Sequence, residues 1–363
     1  MLNRKEFFDY VKNHVKDYLP PSFENAEVRI EDVVKNNDMV LHALIIRKEE
    51  ESIVPNIYLD PFYRSYRQGD KSLESCVGDA ADMRIEYDTP IIPISIADVK
   101  HYDSIKDKLQ VHICDPELNQ KRLEGLACTQ HGDFVAYYKV VLMEDQEGTA
   151  SLSVKEDMLK DWGITMEQLH KDAQAADMKR IPVLNSLEDI VEQMIYGNSE
   201  PDNLLKSGND ISEMFHPMFC LTNEKRMDGA SLILQEDLMK QIGDYIGSDF
   251  FVLPSSLHET LISPCDIGLN VRELIAMVQG VNETQVDQAD LFSDKVQFYD
   301  RKTGVLENAK KAMMRKAREN TAKIAKLTPR SGIHGKLNQA KAEIQMGKPA
   351  EKMANTKSME AVI

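Results

Sequence analysis

GASLILQEDLMKQIGDYIGSDFFVLPSSLHETLI, from Gly229 to Ile262, is the stretch whose reading decides the fold. An apolar run, Ala230 to Leu234, leads into the acidic helix start Gln235, Glu236 and Asp237. Apolar residues then recur at Leu238, Ile242, Tyr245 and Ile246 before Gly247 ends the segment. A second apolar run covers Phe250 to Leu253 and a third Thr260 to Ile262. Continuous apolar runs on both sides of a 3.6-period segment predict strand, helix, strand, strand. Leu232, Ile233, Ile242, Phe251, Val252 and Leu261 fall on the inward faces of that unit and are expected in the core.

On the N-terminal side the same grammar continues. Arg4 to Leu19 places Phe7, Phe8, Val11, Val15, Tyr18 and Leu19 on one helical face, stopped by Pro20-Pro21. Ala26 to Val34 and Met39 to Arg47 read as two strands around Asn36-Asn37, a pair that tolerates positive φ, so a hairpin is expected. Ile53 to Leu59 reads as a third strand, and Asp60-Pro61 opens a short helix. Ser72 to Glu86 reads as a helix with Leu73, Cys76, Val77, Ala80 and Met83 on one face. IIPISI is a crossover, Asp98 to Leu109 a helix, Val111 to Cys114 a strand, and Asp115-Pro116 restarts a helix to about Leu126. Thr129 to Asp133 is turn-rich and marks a boundary.

Phe134 to Met143 and Thr149 to Val154 form the next hairpin. Helices are expected at Lys155 to Trp162, Thr165 to Ala176 and Ser186 to Tyr196; Thr165 and Ser186 carry capping-box spacing. A polar loop over 198–208 precedes a strand at Met218 to Thr222. Val271 to Val281 is a further helix and Lys295 to Tyr299 the last strand. Strands and helices do not alternate regularly, so the expected class is α+β, mainly antiparallel hairpins with packed helices. The expected organisation is two similar-sized units, 1–128 and 129–303, followed by a basic, partly helical or disordered tail, 304–363.

The 363 residues are 42% hydrophobic and 29% charged, the balance of a globular chain with a sizeable core. The N-terminus lacks the apolar region of a signal peptide, no run approaches the ~18 apolar residues of a membrane span, and the five cysteines form no C-x-x-C pair. A cytoplasmic protein with reduced thiols is expected. The net charge of −16 is uneven: from Leu306 onward 13 Lys/Arg face 5 Asp/Glu, a net of +8, which leaves the preceding body at 31 against 55, a net of −24. Such a body repels phosphate backbones and anionic membranes. The expected partner is therefore a protein, with the tail free to contact an anionic partner or the acidic body.

Candidate chemistry is sparse. Ser255, Ser256, His258 and Glu259 bring two hydroxyls, an imidazole and a carboxylate close in sequence, which invites a hydrolase reading. The glycines of G-x-S-x-G are missing, however, and a tight turn with serines bonding nearby backbone accounts for the same residues. His258-Glu259 begins H-E-x-x-H, but Ile262 stands at the second histidine position. His216 and Cys220 flank Pro217, which breaks the helix a metal pair would need, and Asp266 beside Cys265 opposes a thiolate. Glycine-rich phosphate loops are lacking, so no cofactor and no metal are expected. Trp162 reads as a packing anchor.

Seven segments together carry a family resemblance: FFDYVKNHV, NIYLDPFYRSY, FVAYYKVVL, MLKDWGITMEQLHKDAQ, GASLIL, DFFVLPSSLHETLI and DLFSDKVQFYD. In order and spacing the chain, from about Met1 to Asp300, resembles an uncharacterised bacterial family classed as a domain of unknown function and often found in gut anaerobes. It is similar, more distantly, to a second uncharacterised family in which Arg-Asp follows the Pro-Ser; here Ser256-Leu257-His258-Glu259 stands instead. The resemblance implies an accessory role on mobile or conjugative elements and carries over no catalytic residue. The leading expectation is thus a non-enzymatic cytoplasmic binding protein. The alternatives are a hydrolase using the Ser255–Glu259 turn and an acidic nucleic-acid mimic.

Overall fold

A computed structural model describes residues 1–49, 51, 54–88, 96–144, 149–197, 199–206, 218–265, 268 and 270–327. Among them every strand pairing is antiparallel, and the strands fall into three sheets flanked by helices, an α+β architecture. Residues 1–309 form one compact unit and residues 310–363 a second.

The first sheet holds β1 (Glu27–Val34), β2 (Val40–Arg47) and β3 (Ile57–Tyr58) in that order. Its hairpin closes as expected, with Val34 opposite Val40 and Asn37 at φ 57° in the turn. Helix α1 (Arg4–His14) starts at a complete capping box between Asn3 and Glu6. Its Phe7, Phe8 and Val11 pack with Cys76, Val77 and Ala80 of α3 (Leu73–Glu86), while α2 (Leu59–Gln68) ends at Gly69 with φ 83°. Met83, expected on the buried face of α3, is 38% exposed, and its neighbour Arg84 is fully buried instead. The Arg84 guanidinium donates to the Ile46 carbonyl (2.9 Å), Glu51 (2.5 Å) and Asp88 (3.3 Å), so the burial of a charge is matched by its bonds.

The second sheet has β6 (Phe134–Glu144) at its centre, with β4 (Leu109–Cys114) on one edge and β5 (Cys128–His131) and β7 (Thr149–Ser153) on the other. Helices α6 (Glu156–Trp162) and α7 (Met166–Asp177) cover one face, burying Val111, Ala136, Tyr138 and Val140 against Leu159, Leu169 and Ala173. Trp162 anchors this packing: its indole N–H reaches the Val99 carbonyl at 2.8 Å and its ring lies against Tyr102. Three expectations change here. The helix over 98–109 is broken into the single turns α4 (Ile96–Val99) and α5 (Tyr102–Ile105) before Leu109 enters β4. The helix over 115–126 is a set of turns, because Asp115 accepts from Ser293 (2.6 Å) and Lys295 (2.9 Å), far along the chain. Thr129 to His131 lies in β5, so the sheet takes strands from both sides of residue 128.

The third sheet runs β13 (Val305–Asn308), β12 (Gln297–Asp300), β10 (Phe250–Leu253), β11 (Thr260–Pro264), β9 (Phe219–Asn223) and β8 (Pro182–Ser186). Helices α8 (Leu187–Tyr196), α9 (Glu236–Ile246) and α10 (Val271–Thr284) fall between its strands in sequence. In the deciding stretch the helix and the last two strands form as expected, but Gly229–Leu234 is a 3-10 helix and not a strand. Its apolar side chains reach the core in either conformation, so the run alone cannot distinguish them. Leu232, Ile233, Ile242, Phe251 and Val252 are buried; Leu261 is only partly so. Strand β13 pairs with β12, so residues 305–308 belong to the sheet and not to the expected tail. Helix α11 spans Ala309–Leu327, within the tail expected to be partly helical. The IIPIS portion of the expected crossover, residues 91–95, lies outside the described residues, as does the tail beyond Leu327.

Candidate functional site

Phe251 to Ile262 folds as β10, a turn and β11, and that turn spends its polar groups on backbone. The Ser256 hydroxyl accepts the His258 backbone N–H at 3.0 Å. Ser255 uses its own amide and carbonyl, to Leu253 and from Phe292, and both serines are buried. His258 Nδ1 accepts the Asp228 N–H at 3.2 Å, and its Nε2 faces the Asp290 carboxylate at 3.3 Å. Both ring nitrogens are therefore engaged, and none is left to take a serine proton, the requirement for nucleophilic activation. Glu259 lies half-buried on the exit to β11. The four residues are close in space, but the arrangement is that of a bonded turn.

What the turn holds in place is Asp228. The His258 carbonyl accepts from the Gly229 N–H (3.0 Å) and the Thr222 hydroxyl (2.8 Å), and the Leu257 carbonyl accepts from the Ala230 N–H (3.0 Å). These bonds pin the chain beside Asp228, which sits at φ 52°, a strained value for an aspartate. A Cβ at Gly229 would lie 2.4 Å from the His258 oxygen, so only glycine fits this approach.

Asp228 points at the second sheet, on the face away from α6 and α7. There the register puts His112 opposite Tyr137 and Gln110 opposite Lys139, with Cys114 opposite Val135. Period-2 alternation aligns Gln110, His112 and Cys114 on this face of β4, and Val135, Tyr137 and Lys139 on this face of β6. The His112 and Tyr137 rings stack at 5.3 Å, and His112 Nδ1 lies 3.7 Å from an Asp228 carboxylate oxygen. Arg122 lies over the Tyr137 ring at 4.7 Å and also bonds the Tyr137 hydroxyl. Arg122 is fixed by the β1–β2 turn: Asn36 accepts from its guanidinium (3.0 Å), and Asp38 accepts its backbone N–H (2.9 Å). Arg180 completes the boundary, bonded to Asp177, to Ser231 at 3.1 Å and to the Asp228 carbonyl at 3.4 Å.

Two groups on this face lack partners. His112 is 4% exposed, and its Nε2 is buried with no hydrogen bond. Among the described residues, no hydrogen bond or ion pair engages the Lys139 ammonium. Burial, with Lys139, Arg180 and Arg122 nearby, holds the His112 imidazole well below its ordinary value, so it is neutral. Burial also pulls the Lys139 ammonium down; Asp228 opposes this, and Arg122 and Lys35 add to it. Cys114 is pushed up to about 12 and Cys128 to about 11, chiefly by burial, so both are inert thiols. An unpaired buried polar group costs stability, and this face retains one, His112 Nε2, beside a half-buried ammonium that no protein group engages among the described residues.

The other sequence candidates are placed apart from this face. Cys220 is buried in β9, with burial raising its thiol to about 12; His216 lies outside the described residues. Cys265 follows β11 and donates its backbone N–H to the Asp249 carbonyl at 3.0 Å. All five cysteines are thiols. Among the described residues, no group of three or more His, Cys, Asp or Glu is placed to hold a metal, and no helix is long and apolar enough to cross a membrane. His112 and Lys139 escaped the sequence reading, although Lys139 is the one charge inside the apolar run FVAYYKVVL.

Residues 4–301 match the model of a family described as a family of unknown function, DUF5688, and the chain belongs to that family. No curated protein and no solved structure matches the chain.

Proposed function

We propose, with membership of a family of unknown function as the premise, that this chain is a non-enzymatic binding protein that holds a small anion on the His112–Lys139 face. The observation that carries this reading is the unpartnered Lys139 ammonium, set with Arg122 and Lys35 in a body whose net charge is −24. Cations gathered against that background are a recognition site for negative charge. An accessory role in the cytoplasm, carried by a mobile element of a gut anaerobe, fits the thiol cysteines and the lack of any complete catalytic constellation among the described residues. The unit from 310 onward, basic by composition, is the part suited to an anionic partner or to an acidic protein surface.

Calorimetric titration of the full-length protein with inorganic phosphate and with oxalate tests this. Saturable binding of at least one anion is expected, weakened about tenfold or more by Lys139→Met, the loss of one charge-assisted hydrogen bond. Equal affinity in Lys139→Met, or no saturable binding of either anion, sinks the reading.

A further inference from the structure

The same face sets the unpartnered Lys139 beside a neutral imidazole, and simple anion capture does not need the imidazole. For holding a phosphate or carboxylate, a charged lysine and arginine suffice, and a protonated histidine would serve better than a neutral one. Register fixes the relation of the two groups: His112 is opposite Tyr137, Lys139 is two residues further along β6, and the two side chains are diagonal neighbours on one face. Arg122, over the Tyr137 ring, lies beside both. Asp228, 3.7 Å from His112, has its side chain 34% exposed, and Lys139 is half-buried, so the edge of this face meets solvent.

We propose that the anion bound here carries an aldehyde or ketone, an α-oxo carboxylate being the simplest case, and that Lys139 captures it as an imine. This rests on the anion-binding reading above. In the step, the Lys139 nitrogen lone pair attacks the carbonyl carbon and forms a C–N bond. A proton passes from nitrogen to the former carbonyl oxygen, His112 Nε2 serving as the carrier because its lone pair is unused. The oxygen leaves as water with both hydrogens of the neutral amine, C=N replaces C=O, and a proton taken up from solvent gives the protonated imine, so no oxidant or reductant enters. Arg122 holds the carboxylate while Asp228 balances the charge of the protonated imine. A cationic neighbourhood and partial burial keep a lysine nucleophilic at neutral pH, the same physics that holds the Lys139 ammonium below its ordinary value. Among lysines that form ion pairs at the surface, such as Lys71 with Asp79 and Lys106 with Asp103, the charged form is favoured instead.

The experiment incubates the full-length protein with glyoxylate and cyanoborohydride, then maps carboxymethyl-lysine by peptide mass spectrometry. Oxalate, which has the carboxylates and no reducible carbonyl, is titrated in parallel. The expected result is an adduct predominantly on Lys139, lost in Lys139→Arg and suppressed in the wild-type protein by excess oxalate. The protection arm needs no variant and so stands if Lys139→Arg fails to fold. Oxalate binding with carboxymethylation spread over the surface lysines overturns the imine and leaves the anion reading intact. No oxalate binding together with a Lys139 adduct that oxalate does not suppress overturns the anion reading, and with it the carboxylate-directed capture proposed here.

Discussion

Two polar clusters share Asp228, and they differ in how completely their groups are bonded. In the Ser255–Glu259 turn the Ser256 hydroxyl and both His258 nitrogens have partners. On the face of β4 and β6, His112 Nε2 and the Lys139 ammonium have none among the described residues. The first cluster looks catalytic in sequence and is closely bonded in space; the second is nearly silent in sequence and carries the unmet bonding capacity. Sequence proximity of Ser, His and acid says little about geometry, whereas an unsatisfied buried donor or acceptor says that folding alone does not account for the group. The turn acts on the face through Asp228, whose backbone it holds and whose carboxylate it aims.

The largest expected effect tests that mechanical link. Gly229→Ala puts a Cβ 2.4 Å from the His258 carbonyl oxygen and 2.9 Å from Thr222 Cα, both backbone atoms of paired segments. Relief requires moving the turn away from β9, at a cost of about 3 kcal/mol in urea denaturation. Anion binding should weaken as well, because Asp228 and the Arg180 contact move with Gly229. A variant with wild-type stability would mean that the turn is not the rigid scaffold described.

A smaller effect sharpens the other side of the comparison. His112 faces Lys139, Arg122, Arg180 and Asp228, and its folded-state value is depressed below the ordinary 6.5. Between that folded value and about 6.5 the unfolded chain binds more protons than the folded one, so stability is full above about 6.5 and falls as the pH is lowered. The slope from this one group is about 1.4 kcal/mol per pH unit inside that window. His131 and His170 are depressed as well, His131 by burial and then by its neighbour His170, and His170 by burial; they add slope of the same sign. His112→Gln should flatten the acid limb of the stability–pH curve without abolishing it. An unchanged limb would mean that His112 is not the buried neutral group inferred here.

Much of the scaffold was legible because its signals are local. Asn36-Asn37 marks a turn by its own backbone preference, and Thr165 caps α7 by accepting the Gln168 N–H at 3.1 Å, three residues away. What failed depended on distant partners. Asp115 looks like a helix start until Ser293 and Lys295 claim its carboxylate. GASLIL looks like a strand because burial, and not period, decides its composition. The site was half legible. Alternation alone puts Gln110, His112 and Cys114 on one face and Tyr137 with Lys139 on another, but only the register, Gln110 against Lys139, makes them a single face. Asp228 lies 84 positions beyond the end of β6 at Glu144, and no spacing rule reaches that far.

The smallest expected effect separates the two clusters most directly. Ser256 is buried, and its hydroxyl accepts one backbone N–H, from His258. Ser256→Ala removes that acceptor and leaves the bonds from Asp228 and Gly229 to His258 in place. The cost should be about 1 kcal/mol, the net worth of one neutral hydrogen bond, seen as a small shift of the urea midpoint with unchanged slope. Oxalate affinity should stay at the wild-type level, since the Asp228 carboxylate keeps its place opposite His112. If oxalate affinity instead fell with Ser256→Ala while the urea midpoint held, the turn would be touching the ligand itself. The division between a bonded scaffold and an open site would then be wrong, and the hydroxyls of Ser255 and Ser256 would return as candidates for chemistry.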